Sequence, residues 1–310
     1  MKPTSIIFLV LSIILIITGY VSCEVATGMA ETEGISLYNE ETDEDGNRIN
    51  TMYFNSNEYD RIEVNLTEAS VFLCIGDEEK VVLKNYTEGS ISGMESGVSY
   101  IISDNASAFE MITSGSFNFS FMGLRHYWHD RDILSRDKEV YIYTTAETVL
   151  NGIDIVLGDG TVNIDKYTAT FDVMADVKKG NVVIKDSSAT AFNITGTDCD
   201  LTAENSSAQR FHATVTNGKL SLKNTDVSSL TQLNVKTAGE VKVELAGELS
   251  EYIITAYASK DVTINGENKG TQYPPQTSDG EEGSSDSGEV TGTKTLDISV
   301  TSGTVSIKTK

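Results

Sequence analysis

Gly160-Thr161-Val162-Asn163-Ile164, Gly180-Asn181-Val182-Val183-Ile184, Gly218-Lys219-Leu220-Ser221-Leu222 and Gly239-Glu240-Val241-Lys242-Val243 are four versions of one pattern. A glycine is followed two and four residues later by aliphatic side chains. Cys199 before Leu201 and Lys260 before Val262 fill the same places, so Val162, Val182, Leu201, Leu220, Val241 and Val262 succeed one another at 19 to 21 residues. A second apolar series, Phe171, Phe192, Phe211, Leu233 and Ile254, runs between them at 19 to 22 residues. Two interleaved series with one nearly constant period predict a β-solenoid. Each coil of about twenty residues holds two strands of about five residues and two tight corners. Glycine suits the corner because it accepts positive φ without steric cost. A β-sandwich of hairpins also has many short strands, but it has no reason to keep the spacing constant. One such coil has nothing to bury its apolar side against, so the array is stable only as a stack.

The rest of the composition limits what such a stack can do. The chain has 310 residues, 23 basic against 46 acidic, and a net charge of −23. That surface repels nucleic acid and anionic lipid headgroups. Pro3, Pro274 and Pro275 are the only prolines, which leaves everything between free of the residue that interrupts β ladders. Cys23, Cys74 and Cys199 have no spacing that builds a zinc site or a disulfide framework. GxxxxGK, GxGxxG, GxSxG and HExxH are all absent. Six Asn-x-Ser/Thr sequons, at Asn65, Asn85, Asn105, Asn118, Asn193 and Asn205, are about what chance gives in a chain this rich in Ser and Thr.

Upstream of the repeats, Pro3 to Ser22 carries no charge, and Ile6 to Ile17 is almost wholly aliphatic. The segment is long enough to span a bilayer as one transmembrane helix. Lys2 before it and Glu24, Glu31 and Glu33 after it orient the chain outward. The expected organisation is a cytoplasmic tail (1–4), a signal-anchor (5–23), an acidic stalk (24–58) and a solenoid domain (59–310), placing a single-pass protein in the cell membrane with its C-terminal domain extracytoplasmic. Two other fates compete for the N-terminus: lipidation of Cys23, and cleavage near Ala30. Asp43, Asp45 and Asn47 open like a calcium loop, but Arg48 and Phe54 stand where glycine and glutamate are needed, so no calcium is expected there.

Alternation begins at Arg61-Ile62-Glu63-Val64, and Ile62, Val81 and Ile101 keep the coil length. It lapses over a loop excursion (104–137) containing Trp128, His126 and His129, then resumes at Val140-Tyr141-Ile142-Tyr143. A second lapse, the acidic insertion 270–294, is too polar to order itself. Leu296 to Ile307 then recovers the pattern and is expected to close the stack. The opening Tyr59-Asp60-Arg61-Ile62-Glu63-Val64, the Val140-Tyr141-Ile142-Tyr143 run, the Gly-x-Val turns and the terminal Ser302-Gly303-Thr304-Val305-Ser306-Ile307 resemble the bacterial "putative adhesin" domain family. The resemblance implies a β-solenoid ectodomain on an envelope protein, without established enzymatic activity and without catalytic residues to carry over.

Three sets of residues are candidates for chemistry. His126 and His129, beside Asp130 and Asp132, offer two imidazoles to a metal, but spacing fixes no third ligand. Alternation puts Asp154, Asp172, Asn193, His212, Asn234, Thr255 and Asp297 on one outer row, one per coil. Coils about 4.8 Å apart would make Asp154 and Asp172 a carboxylate pair of the kind a carbohydrate-active enzyme uses. Without a basic cluster on that row, a hydrated polar ladder is the ordinary reading. The expected function is therefore non-enzymatic, with no cofactor. It is adhesion or envelope scaffolding through the solenoid faces, with a cell-surface polymer or protein as partner and the membrane as anchor. Self-assembly by end stacking through Val305 to Ile307, and a β-helix enzyme, are the alternatives.

Overall fold

The computed structural model describes residues 41–86, 91–96, 99–104, 136–274 and 293–309, which form one 17-stranded sheet wound into stacked coils. The N-terminal strands are β1 (Glu41–Thr42), β2 (Arg48–Tyr53), β3 (Arg61–Ile75), β4 (Lys80–Lys84), β5 (Ile91–Ser96), β6 (Ser99–Asp104) and β7 (Glu139–Thr144). The middle of the stack is β8 (Gly152–Asp165), β9 (Asp172–Lys185), β10 (Ser188–Glu204) and β11 (Ser207–Leu245). The C-terminal strands are β12 (Tyr252–Ala258), β13 (Asp261–Ile264), β14 (Glu267–Asn268), β15 (Gln272–Tyr273), β16 (Lys294–Val300) and β17 (Gly303–Lys308).

The middle coils are parallel and in register, as the first apolar series requires. Val71 pairs with Val162, Val162 with Val182, Val182 with Leu201 and Leu201 with Leu220. All five are at most 1% exposed. Parallel ladders place like residues on like residues, so the column stacks one aliphatic side chain on the next from coil to coil. Phe192 and Phe211 stack likewise in the other half of the coil, with ring centroids 5.7 Å apart and no exposure.

Both corners explain their sequence. At the first, Gly160, Gly180 and Gly218 have φ of +137°, +137° and +147°. A Cβ on Gly180 would lie 1.8 Å from the carbonyl oxygen of Gly160 directly beneath it, so the corners form a column that admits only glycine where this backbone is used. The second corner is made by left-handed residues with φ near +50°: Lys166, Asp186, Asn205 and Asn224. Asn224 Nδ2 donates to Asn205 Oδ1 at 2.8 Å, and Asn205 Nδ2 to Asp186 Oδ1 at 3.1 Å. The next residue of the last three, Ser187, Ser206 or Thr225, is buried with its hydroxyl bonded to backbone carbonyls of its own coil or the one below.

Spatial order departs from chain order at both ends. β3 lies second, between β6 and β7 on one side and β8 on the other. β16 and β17 lie between the second half of β11 and the β12–β13 coil: Val241 pairs with Val305, and Val305 with Val262. The C-terminal coil thus does not close the stack. End stacking through Val305 to Ile307 is excluded because β17 has parallel partners on both edges. The ends are covered instead by antiparallel strands, β4 and β5 at one and β14 and β15 at the other.

Other expectations need correction. Val81 does not continue a coil series from Ile62; it pairs antiparallel with Ile142, while Ile62 pairs with Tyr100 and Ile153. Val173, and not Phe171, takes the position beside Ile153 and Phe192; Thr231, and not Leu233, shares a row with Leu296 and Ile254. Phe171 and Leu233 are buried too, and period-two alternation cannot separate inward residues two apart. Residues 41–53, expected in the stalk, form β1 and β2, and β2 adds to β4. The Asp43 carboxylate accepts the Asn47 backbone N–H at 2.8 Å and its side-chain amide at 3.0 Å, and lies 3.2 Å from Lys84 Nζ, which ties the β1–β2 turn to β4. Of the insertion, Gln272–Tyr273 is β15 and Lys294 opens β16, while 275–292 lies outside the described residues. Also outside them are most of the 104–137 excursion with His126 and His129, and residues 1–40 with the tail, the anchor and Cys23. Among the described residues no helix is long and apolar enough to cross a membrane.

Two predictions follow from corner and hairpin. Gly180→Ala lowers unfolding free energy by more than about 3 kcal/mol in denaturant titration, whereas Gly266→Ala, whose Cβ meets nothing within 4 Å at φ +83°, costs about 1 kcal/mol. The bonds from Asn47, with Lys84 in support, hold the Asp43 carboxyl down to about 2 from its usual 3.8. A depressed folded-state pKa stabilises fully above the unfolded value and is lost as pH falls through the folded one. Amide exchange in β1 and β2 therefore accelerates relative to β9 between pH 4 and pH 2, and in Asp43→Asn it is already fast at pH 6.

Candidate functional site

The outer row beside the Phe192–Phe211 column runs Glu63, Asp154, Met174, Asn193, His212, then Gln232, Asp297 and Thr255. Asn193 and His212 occupy the row as read from sequence. Asp172 and Asn234 do not: Asp172 pairs with Gly152 and Ala191, and Asn234 with Ser299, each two residues off the row. The expected Asp154–Asp172 pair fails for the same reason, since Asp154 pairs with Met174.

Each of the two carboxylates is engaged by an arginine. Arg61 Nη1 donates to Asp154 Oδ2, and this bond, before any other cause, raises the guanidinium pKa further. Asp154 Oδ1 is buried without a hydrogen-bond partner among the described residues. Arg210 reaches Asp172 across the register position of Ala191, with Nη2 at 3.4 Å from Oδ2. The Arg210 side chain is 56% exposed, so the pair is loosely held and wet.

Asp172, Asn193, Arg210, His212 and Gln232 surround a recess of about 260 Å³, with Leu230 as its apolar lining and the fully buried Phe211 behind it. His212 is fixed at both ring nitrogens. Nδ1 lies 2.9 Å from Gln232 Oε1 and so donates to it, which leaves Nε2 to accept the Thr214 hydroxyl at 3.3 Å. Asn234 Nδ2 supports Thr214 from the next coil at 3.5 Å, so Asn234 is a prop for the row and not part of the recess. The recess thus combines a carboxylate acceptor, a guanidinium donor, two amides and a rigid imidazole over a small apolar patch. That set can exchange several hydrogen bonds with a hydroxyl-rich ligand. Nothing in it resembles a nucleophile held against a general base.

Sequence reading missed Gln232 and Arg210. Gln232 was findable from the 20-residue step after His212. Arg210 was not, because its link to Asp172 spans two coils. Among the described residues no group of three His, Cys, Asp or Glu could hold a metal ion. Cys199 is buried at its corner, and burial pushes its thiol up to about 11; Cys74 is half-buried and shifted upward by the same cause.

These coils define an all-β stack with glycine and asparagine corners and a polar recess on one outer face. Residues 59–308 match the Toastrack DUF4097 family, and the chain belongs to it. It is similar to the "putative cell adhesion protein" of Clostridium sporogenes ATCC 15579, at 16% identity and a TM-score of 0.31, over 85% of this chain and 100% of that one. It is also similar to the "putative adhesin" of Bacteroides fragilis NCTC 9343, at 11% identity and a TM-score of 0.38, over 84% of this chain and 97% of that one. No curated protein matches it.

Asn193→Ala and Arg210→Ala each change unfolding free energy by less than about 0.5 kcal/mol, because their side chains contribute no core packing. A loss of several kcal/mol in either would mark these residues as part of the scaffold.

Proposed function

We propose that the chain is a non-enzymatic cell-surface binding protein of adhesin type, held at the membrane by its N-terminal segment, and that the recess around His212 contacts a neutral, hydroxyl-rich polymer of the envelope or of a facing surface. The observation that carries this reading is the recess itself. His212 and Gln232 hold each other in place there at 2.9 Å, so ordering these two on binding costs little. A net charge of −23 disfavours polyanions, and Asp172 already offsets the Arg210 charge, which favours a neutral ligand over an acidic one. Support for binding over catalysis comes from Asp154 and Asp172, each engaged by an arginine and not by the other.

Polysaccharides of neutral and of uronic-acid composition, titrated calorimetrically into the purified chain, test the proposal. The expected result is binding to a neutral polymer that changes little between 50 and 300 mM salt and weakens at least tenfold in Asn193→Ala and Gln232→Ala. Binding confined to acidic polymers, or unaffected by both substitutions, would refute it.

A further inference from the structure

The recess around His212 is the middle of a longer outer face. On one side its row continues from Asn193 to Met174, and on the other from Gln232 through Asp297 to Thr255. All these steps are in register, and at a strand spacing of about 4.8 Å the row from Met174 to Thr255 is about 24 Å long.

Apolar side chains stand exposed at both ends of it. Met174 is 39% exposed beside Asn193, and Val156, two residues on from Asp154, is 40% exposed on the adjoining row. At the other end Ile253 and Tyr257, 42% and 46% exposed, flank Thr255 on β12. Of the eight large apolar side chains exposed among the described residues, these four share one outer face with the recess between them, so they are not the scattered singles that any surface carries. Tyr257 also has a ring to offer. Lysine ammonium groups lie over the rings of Tyr141, Tyr143 and Tyr252, and Phe72 stacks on Tyr141, whereas neither the ring nor the hydroxyl of Tyr257 has a partner among the described residues.

This order of apolar, polar and apolar groups matches a chain of sugar rings. The C–H groups on the face of a pyranose ring carry partial positive charge and pack on the electron-rich face of an aromatic ring, as Tyr257 presents. Met174 offers a flexible, polarisable thioether for the same purpose. Between them Asn193, His212 and Gln232 meet the ring hydroxyls. A β-linked chain is extended and keeps one direction over such a distance, as the row does; an α-1,4-linked chain coils and leaves the row after a short contact.

We infer that the recess is the central subsite of a face that takes several successive rings of an uncharged, β-linked polysaccharide laid across the strands, with Tyr257 and Met174 as apolar platforms on either side. The inference rests on the reading of the recess as a site for a neutral, hydroxyl-rich polymer, and adds its linkage, direction and extent.

Oligomers of β-1,4-linked glucose and of β-1,4-linked N-acetylglucosamine, from disaccharide to octasaccharide, are titrated calorimetrically into the purified chain, with α-1,4-linked glucose oligomers alongside. Affinity for at least one β-linked series rises about tenfold or more from disaccharide to octasaccharide. Tyr257→Ala removes most of that gain and leaves disaccharide binding unchanged, Tyr257→Phe keeps the gain, and Met174→Ala reduces it. Asn193→Ala weakens oligomers of every length and so reads the recess separately. Affinity that is flat across the β-linked series, a gain that survives Tyr257→Ala, or a preference for the α-linked series overturns the inference, and the recess reading stands if Asn193→Ala still weakens binding. If neither β-linked series binds, the inference falls as well, while the recess reading stands or falls on the neutral polysaccharides alone.

Discussion

Parallel, in-register pairing is the constraint on which the rest of this molecule depends. It sets each side chain directly on its counterpart one coil away, about 4.8 Å distant, and so converts every position into a column. A column of carbonyl contacts at the first corner excludes Cβ atoms and demands glycine at 160, 180, 218, 239 and 303. Outer columns gain where unlike charges stack. The row Asp165, Lys185, Glu204, Lys223 alternates in sign, and β11 continues the pattern one coil on, where Glu244 pairs with Lys308. An acidic chain tolerates this fold because its few lysines stand between acids; Lys179 lies between Asp159 and Asp198 in the same manner.

The same constraint decided what could be read from sequence. The Val162, Val182, Leu201, Leu220 column was legible because glycine two residues earlier fixed its phase. The opposite column was read two residues out at Phe171 and Leu233, because no corner residue of comparable specificity precedes it and both misplaced residues are themselves buried. That slip moved Asp172 onto the wrong row and created a carboxylate pair that does not exist, while Asn193 and His212 came out correctly. The left-handed corner was hidden for a different reason: Lys166, Asp186, Asn205 and Asn224 share a backbone conformation and not a residue type. The order of the coils was beyond reach altogether. β17 carries a Gly-x-Val start like that of the β11 corner beside it, and nothing in such a pattern says whether a coil lies at the end of a stack or between two others.

A stack of this kind offers function through its faces. Its interior is a continuous aliphatic and aromatic core, and each outer row is a line of side chains held at regular intervals. On one such row, Asn193, His212 and Gln232 meet Asp172 and Arg210 around the recess, where His212 and Gln232 hold each other in place. Antiparallel strands cover both ends of the described stack, so its outer rows are what it presents to solvent.

The inverted order of the last coils is the feature that most sharply separates this architecture from a plain solenoid, and amide NOEs in an isotope-labelled sample measure it directly. The account predicts cross-strand contacts from Val241 to Val305 and from Val305 to Val262. Direct contacts between Val241 and Val262, with Val305 at an outer edge, would contradict it.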